Sequence, residues 1–132
     1  MMEQVRVVLD HAGDISPISS EEYLRIGGYQ GLKKALEATE TIIDTIKASG
    51  LRGRGGAGFP TGLKLSFTAN TQADQKYIVC NADEGEPGTH KDRIIMVEIP
   101  HRLFEGMAIA AVAVGASQGY IYLRAEYPYV AT

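Results

Sequence analysis

The chain has 132 residues, of which 45% are hydrophobic and 22% are charged, and its formal charge is -3. This composition is typical of a globular protein with one modest core, and it excludes the basic surface that nucleic-acid binding requires. The single cysteine excludes an internal disulfide and a four-cysteine metal or iron–sulfur site built by this chain alone. With no secretory leader and no apolar stretch long enough to cross a bilayer, we expect a cytoplasmic protein without direct membrane insertion.

Residues 1–48 are expected to form an N-terminal arm followed by scaffold helices. Residues 4–9 predict a short strand or an extended arm. Ser19 or Ser20 is placed to cap a first helix, which the glycine pair at 27–28 ends.

Residues 29–50 predict two amphipathic helices, because apolar side chains recur at helical spacing with a break near Thr39. Gly50 is a candidate for the C-terminal cap of the second helix. Packing as a scaffold is the simplest role for these helices.

Residues 51–64 are too rich in glycine for a helix or strand interior and predict a loop. Gly53, Gly55 and Gly58 fit the pattern G-x-G-x-x-G. The predicted helix before them differs from the strand that precedes a dinucleotide-binding fingerprint. Consecutive glycines let backbone N–H groups converge on an anion, so a nucleotide or flavin phosphate cradle is favoured over a mobile, solvated loop. The same region supplies positive charge and aromatic faces, from Arg52, Arg54, Lys64, Phe59 and Phe67.

Residues 76–81 predict a buried strand, followed by a loop rich in polar and acidic side chains. Open parallel sheets bind ligands at the carboxyl ends of their strands, which favours a ligand role for this loop. Neutralisation of the basic glycine-rich loop is the alternative. Cys80 lies within the apolar strand and is expected to be a buried structural thiol. The polar candidates are Asn81, Asp83, Glu84 and Glu86.

The rest of the chain predicts a strand, helix, strand unit with parallel strands and a right-handed crossover. Residues 91–98 predict a short helix that Pro100 ends, residues 102–116 a helix apolar on nearly every face, and residues 119–124 a second strand. The fold class is therefore α/β, with a Rossmann-like parallel sheet and flanking helices after a helical N-terminal segment. So few strands leave the sheet incomplete, and we expect further sequence to follow.

Charged residues also follow the acidic loop and the second strand, at the same edge of the sheet. Lys91, Asp92 and Arg93 are expected to form a solvated helix start. Arg124 and Glu126 either border the site or pair with each other.

The segments SGLRGRGGAGFPTGLK and CNADEGEPGTHKDR together resemble the flavoprotein subunit of complex I. That family includes the diaphorase subunits of NAD(P)-reducing and electron-bifurcating hydrogenases and of NAD-dependent formate dehydrogenases. The resemblance continues through PHRLFEGMAIAAVAVGA and GYIYLRAEYP and covers about residues 49–128. It implies that residues 49–132 are the N-terminal part of an FMN- and NADH-binding α/β domain, truncated here. Three positions depart from the family pattern, namely Leu65, His90 and Ala125.

The resemblance implies an FMN held by the two loops and an NADH that passes a hydride to it, with no side chain acting as acid or base. NADH would be bound by Phe59, Phe67 and Glu86, with the phenylalanines stacking on adenine. FMN would be bound by Gly53, Arg54, Gly55, Gly56, Lys64, Asn81, Asp83 and Glu84.

The resemblance also implies partners in a multi-subunit redox complex, namely a thioredoxin-like 2Fe-2S subunit and an iron–sulfur subunit. A 4Fe-4S cluster would belong to a later part of the polypeptide, and attachment to the inner membrane would run through partner subunits. The isolated chain is expected to be inactive. The alternatives are a non-catalytic remnant or interaction module without a complete flavin site, and a plain nucleotide-binding module.

Overall fold

A computed structural model describes residues 5–131. Its helices and strands alternate in the second half of the chain, which confirms the α/β class. In chain order the elements are α1 (Ser20–Arg25), α2 (Gln30–Glu37), α3 (Ile42–Ala48), α4 (Thr61–Asn70), β1 (Tyr77–Ala82), α5 (Lys91–Glu98), α6 (Pro100–Val114) and β2 (Gln118–Leu123).

The two strands pair in parallel, as predicted, in a register that runs from Tyr77 opposite Gln118 to Ala82 opposite Leu123. The helices α5 and α6 form the connection between the strands, and α6 packs against both of them. A methyl group built on Gly119 of β2 would meet the Met107 side chain of α6 at 3.5 Å, so this face of the sheet is the covered one.

The opposite face of the sheet is open, and the prediction that residues 76–81 form a buried strand is wrong in this respect. Exposed and covered residues alternate along β1, as they do on any pleated strand with one covered face. Val79 is 63% exposed, and Tyr120 and Tyr122 of β2 are 55% and 64% exposed. Within the described residues, helices cover one face only.

Of the two alternatives predicted for residues 4–9, a short strand or an extended arm, the strand is wrong for its described part, because residues 5–9 are irregular and lead into turns; Gln4 lies outside the described residues. The first helix begins as predicted, since the Ser19 hydroxyl accepts a hydrogen bond from the Glu22 amide at 3.2 Å. A 3-10 turn at Thr39–Thr41 separates α2 from α3 at the predicted break. Gly50 follows the C-terminal cap Ser49 with a φ of 68°.

Glu105 of α6 joins the N-terminal helices to the sheet layer. Its carboxylate accepts hydrogen bonds from the Tyr23 hydroxyl at 2.6 Å and from the Tyr29 and Leu32 amides at 2.9 and 3.1 Å. The amides belong to the N-cap residue of α2 and to its first turn, so a side chain distant in sequence caps this helix. Burial pushes the pKa of Glu105 up, but these hydrogen bonds outweigh burial and hold the pKa below its usual value. The hydroxyl of Tyr29 contacts His101 Nδ1 at 2.7 Å.

The glycine-rich segment ends sooner than predicted, because α4 begins at Thr61 and includes Lys64. Gly62 lies in its first turn, where a Cβ atom would approach the Lys47 backbone nitrogen of α3 to 2.7 Å. Glycine at this position lets α3 and α4 pack closely, and α4 also contacts α6.

Helix α6 is less covered than its composition predicts. Most of its side chains are half-buried and Phe104 is 44% exposed, although α6 contacts α2, α4 and α5 as well as the sheet. Gly115 ends the helix with a φ of 72°. No helix in the described part of the chain combines the length and apolar character needed to cross a membrane. A domain boundary near residue 48 stays a prediction.

Candidate functional site

The base of the glycine-rich loop is closed by hydrogen bonds. Arg52 and Pro60 form an isolated antiparallel bridge. The Gly53 amide donates to the Phe59 carbonyl at 2.9 Å, and the Arg52 guanidinium donates to the Gly58 carbonyl at 2.9 Å. The segment is therefore an ordered loop whose two ends are joined by hydrogen bonds. Gly53 supports the loop itself, because its N–H is already used.

The tip of the loop presents unused hydrogen-bond donors. Among the described residues, the amides of residues 54–58 have no acceptor, and neither do the side chains of Arg54 and Lys64. Gly56 and Gly58 have φ values of 93° and 60°, in the left-handed region that favours glycine. Unused amides beside two cationic side chains suit a phosphate group.

The two phenylalanines that follow the loop lie side by side. The ring centroids of Phe59 and Phe67 are 6.5 Å apart with an interplanar angle of 46°. Phe59 is 45% exposed and Phe67 is 60% exposed. An exposed aromatic pair beside a phosphate-type loop offers a stacking surface for a heterocycle.

The acidic loop at the carboxyl end of β1 is held by its own side chains. The Asn81 Oδ1 atom accepts a hydrogen bond from the Asp83 amide at 3.0 Å. Glu84 is only 4% exposed, and its carboxylate accepts from the Asp92 and Arg93 amides at 2.8 and 3.3 Å. Burial raises the pKa of Glu84, but these amides and nearby positive charge outweigh it and keep the pKa below its usual value. Glu84 therefore caps α5.

Arg124 follows β2 and reaches across to the same loop. Its guanidinium donates to both carboxylate oxygens of Glu126, from Nη2 at 2.6 Å and from Nε at 3.2 Å. Nη1 donates to the main-chain carbonyl of Glu84. Of the two predicted alternatives, the structure confirms the pairing of Arg124 with Glu126. Nearby, the Arg93 guanidinium lies 5.8 Å from the centre of the Tyr127 ring.

A groove of about 550 Å³ separates the glycine-rich loop from the start of α5. Of the predicted site residues, Arg54 lines this groove, whereas Asn81 lines a smaller cavity of about 50 Å³ beside Asp92. No hydrogen bond or ion pair joins the two loops within residues 5–131. The groove is lined by Val8, Leu9, Arg54, Gly88, Thr89, His90, Lys91, Asp92, Ile94 and Ile95.

The remaining predicted residues flank this arrangement. Glu86 is exposed in the turn that leads to α5, and Asp83 is exposed at the end of β1. Cys80 is half-buried, and burial raises the pKa of its thiol, which disfavours a reactive thiolate. The described part of the chain contains no group of three or more His, Cys, Asp or Glu side chains arranged for a metal ion.

Sequence reasoning missed three contributions to the site. Val8 and Leu9 form a wall of the groove, and Arg102 holds this arm by donating to the Val7 and Val8 carbonyls at 2.7 and 2.9 Å. The link from Arg124 to Glu84 and the capping of α5 by Glu84 were also missed. An acidic residue several positions before a helix without a good N-cap is the one signal that pointed to the cap.

Comparison with known proteins gives a consistent result. A family model described as the Nuo51 FMN-binding domain matches residues 46–132. The NADP-reducing hydrogenase subunit HndC of Solidesulfovibrio fructosivorans is 49% identical over 127 residues, which is 96% of this chain and 26% of the relative. An NADH-quinone oxidoreductase subunit of Rhizobium meliloti is 58% identical over 103 residues, 76% of this chain and 24% of the relative.

Solved structures include an NAD+-reducing [NiFe]-hydrogenase in the air-oxidized state, which matches with a TM-score of 0.66 and 48% identity. The match covers 70% of this chain and 16% of that one. The chain thus spans about a quarter of the length of the curated relatives it matches.

Proposed function

Because the chain belongs to the Nuo51 FMN-binding domain family, we propose that it supplies part of the FMN and NADH site of an NADH:acceptor oxidoreductase. One observation carries the proposal: Arg54, which belongs to the glycine-rich loop with its unused amides, lines a single groove together with the start of α5. The acidic loop is fixed beside that groove by the Glu84 cap.

The donor set fits a flavin mononucleotide. The amides of Gly55 and Gly56, together with Arg54 and Lys64, are suited to the phosphate, because they combine unpaired N–H groups with positive charge. Asn81 offers an amide to the edge of a heterocycle, and Asp83 offers a carboxylate to hydroxyl groups. Gly53 and Glu84 act by shaping the two loops, since their hydrogen-bonding groups are already engaged.

NADH is proposed to use the aromatic pair, with Phe59 and Phe67 as the stacking surface for adenine and Glu86 as an acceptor for its hydroxyl or amino groups. When bound, FMN supplies the acceptor for the hydride that NADH loses. The chain's own side chains bind and orient the two heterocycles, and none of them needs to transfer a proton.

We further propose that this part of the molecule works within a larger redox assembly. Cys80 is the chain's sole cysteine, so an iron–sulfur cluster that takes electrons onward requires cysteines from elsewhere. A thioredoxin-like 2Fe-2S subunit and an iron–sulfur subunit are the partners expected, and the chain alone is expected to show no turnover with NADH.

The test is titration of the purified chain with FMN, followed through quenching of flavin fluorescence. We expect saturable quenching that weakens about tenfold in Asn81→Ala and Lys64→Gln, since each removes a hydrogen-bonding group from the ligand. Matched controls are Asn70→Ala and Lys34→Gln, which change the same residue types on the exposed surfaces of α4 and α2. Absence of quenching at high micromolar FMN, or equal loss in the controls, would refute the proposal.

A second candidate is an interaction module that keeps the fold without a flavin. The open face of the sheet favours it, because Val79, Tyr120 and Tyr122 are all more than half exposed. The same titration separates the two candidates, since an interaction module gives no saturable quenching.

A further inference from the structure

We infer that Arg124 is the positioning residue of the candidate flavin site: it holds the acidic loop in the conformation that a ligand meets. The inference rests on the proposed function, and it assigns to Arg124 no contact with a ligand. It starts from the position of Arg124, which directly follows β2 beside the carboxyl end of β1.

Each of the three guanidinium nitrogens of Arg124 donates to one of two partners. Glu126 accepts from Nη2 and Nε, which orients the planar group, and the remaining Nη1 points to the Glu84 carbonyl. Such a forked pairing fixes an arginine in a way that the single ammonium group of lysine cannot reproduce. Arg124 thus forms a crosslink from the end of β2 to the loop after β1.

Glu84 is held from both ends as a result. Its main-chain oxygen bonds to Arg124, and its carboxylate bonds to the Asp92 and Arg93 amides at the start of α5. With the Glu84 peptide fixed, the flanking segment cannot rotate freely. Asp83 immediately precedes Glu84 and Glu86 follows two positions later, so the orientation of these two proposed ligand-binding side chains depends on the fixed Glu84 backbone.

The Arg93 and Tyr127 contact strengthens the same junction. Tyr127 lies one residue past Glu126, and its amide donates to the Arg124 carbonyl at 3.1 Å. Its ring meets the Arg93 guanidinium of α5. The segment after β2 therefore touches the start of α5 as well as the acidic loop, and Arg124 lies at the centre of the junction.

The first measurement is amide hydrogen exchange on the full chain without any ligand. In Arg124→Lys and Arg124→Gln we expect exchange at residues 84–93 to rise roughly three- to tenfold, with no change in α2. Each variant loses the hydrogen-bonded link between a partly exposed arginine and the Glu84 carbonyl. The control is Arg25→Gln, which removes an arginine from an exposed pair with Glu22 at 3.6 Å on α1. Unchanged exchange at residues 84–93 overturns the inference.

The second measurement is FMN titration of the same variants. Arg124→Lys keeps the charge but loses the fork, so we expect its FMN Kd to rise roughly three- to tenfold while Arg25→Gln matches the wild type. A wild-type Kd in Arg124→Lys would overturn the positioning role, because charge alone would then suffice. Failure of the proposed function is distinguishable, since it appears as no quenching by the wild-type chain while the exchange effect of Arg124 remains.

Discussion

Glu105 should be a principal determinant of the stability of this fold. Replacing it with alanine removes the acceptor of three hydrogen bonds, from the Tyr23 hydroxyl and from the Tyr29 and Leu32 amides. A hydrogen bond to a charged group contributes about 1.5–3 kcal/mol, and water can replace part of it at the exposed helix start. We therefore expect Glu105→Ala to lower the free energy of unfolding by about 3 kcal/mol, a large share of the stability of a small domain.

The assay is urea unfolding followed by circular dichroism at pH 7. Glu105→Gln keeps an acceptor without the charge and should lose only about 1 kcal/mol. Glu37→Ala, an exposed change at the end of α2, is the control and should be close to neutral. If Glu105→Ala stays within about 0.5 kcal/mol of the wild type, capping of α2 by this carboxylate has no energetic role and the reasoning fails.

The same residue predicts a pH dependence. Since the folded-state pKa of Glu105 lies below its usual value, its stabilisation is present above the unfolded-state pKa and is lost as the pH falls through the folded value. The wild type should therefore lose stability more steeply than Glu105→Gln in acid. At high pH the titrating group is Tyr23, because burial and Glu105 raise the pKa of its hydroxyl to about 12. The stabilisation that the Tyr23 hydroxyl contributes is present below its unfolded-state pKa of 10.0 and is lost as the pH rises through about 12.

Three further predictions concern packing, the acidic loop and the open sheet face. Gly62→Ala should lower the free energy of unfolding by about 1–3 kcal/mol in urea, because its Cβ meets the Lys47 backbone, whereas Gly106→Ala has open space and should be neutral or stabilising. Glu84→Gln should lower the protection of the first α5 amides against exchange at pH 7 and should lessen the loss of protection expected of the wild type in acid, since the folded pKa of Glu84 is lowered. The chain should self-associate in light scattering, and Tyr122→Glu should shift it toward the monomer; a wild-type monomer at high concentration would contradict this.

Local signals in the sequence were sufficient for much of the secondary structure. Ser19 caps α1 as predicted, the break near Thr39 is present, and α5 ends before Pro100. These features depend on hydrogen bonds and torsion angles within a few residues, so composition and spacing identify them. The two loop motifs also identified the family, because their residues recur together at fixed positions.

Burial was less predictable from the sequence, since it depends on what lies opposite each face. The apolar residues of β1 and α6 suggested elements covered on most sides, yet Val79 and Phe104 are exposed. Composition reports how apolar a segment is, whereas the exposed fraction of each side chain is set by neighbours that other parts of the chain must supply. The start of α4 at Thr61 was not predicted, because a glycine at position 62 argues against a helix. Only its close contact with α3 explains why glycine is present there.

The roles of the acidic side chains were decided by the tertiary structure alone. Glu84 was expected to face a ligand but turns inward to cap α5, eight residues further along. Glu105 lies in the helix that the sequence predicts to be apolar on nearly every face, and its partners lie more than 70 residues earlier in the chain. A carboxylate takes whichever donors the fold brings within hydrogen-bonding distance, and those donors are set by packing between distant segments. The sequence by itself determined the family, the parallel strands and the loops that carry the candidate site, whereas the structure determined which of their residues hold the loops in place and which remain free to meet a ligand.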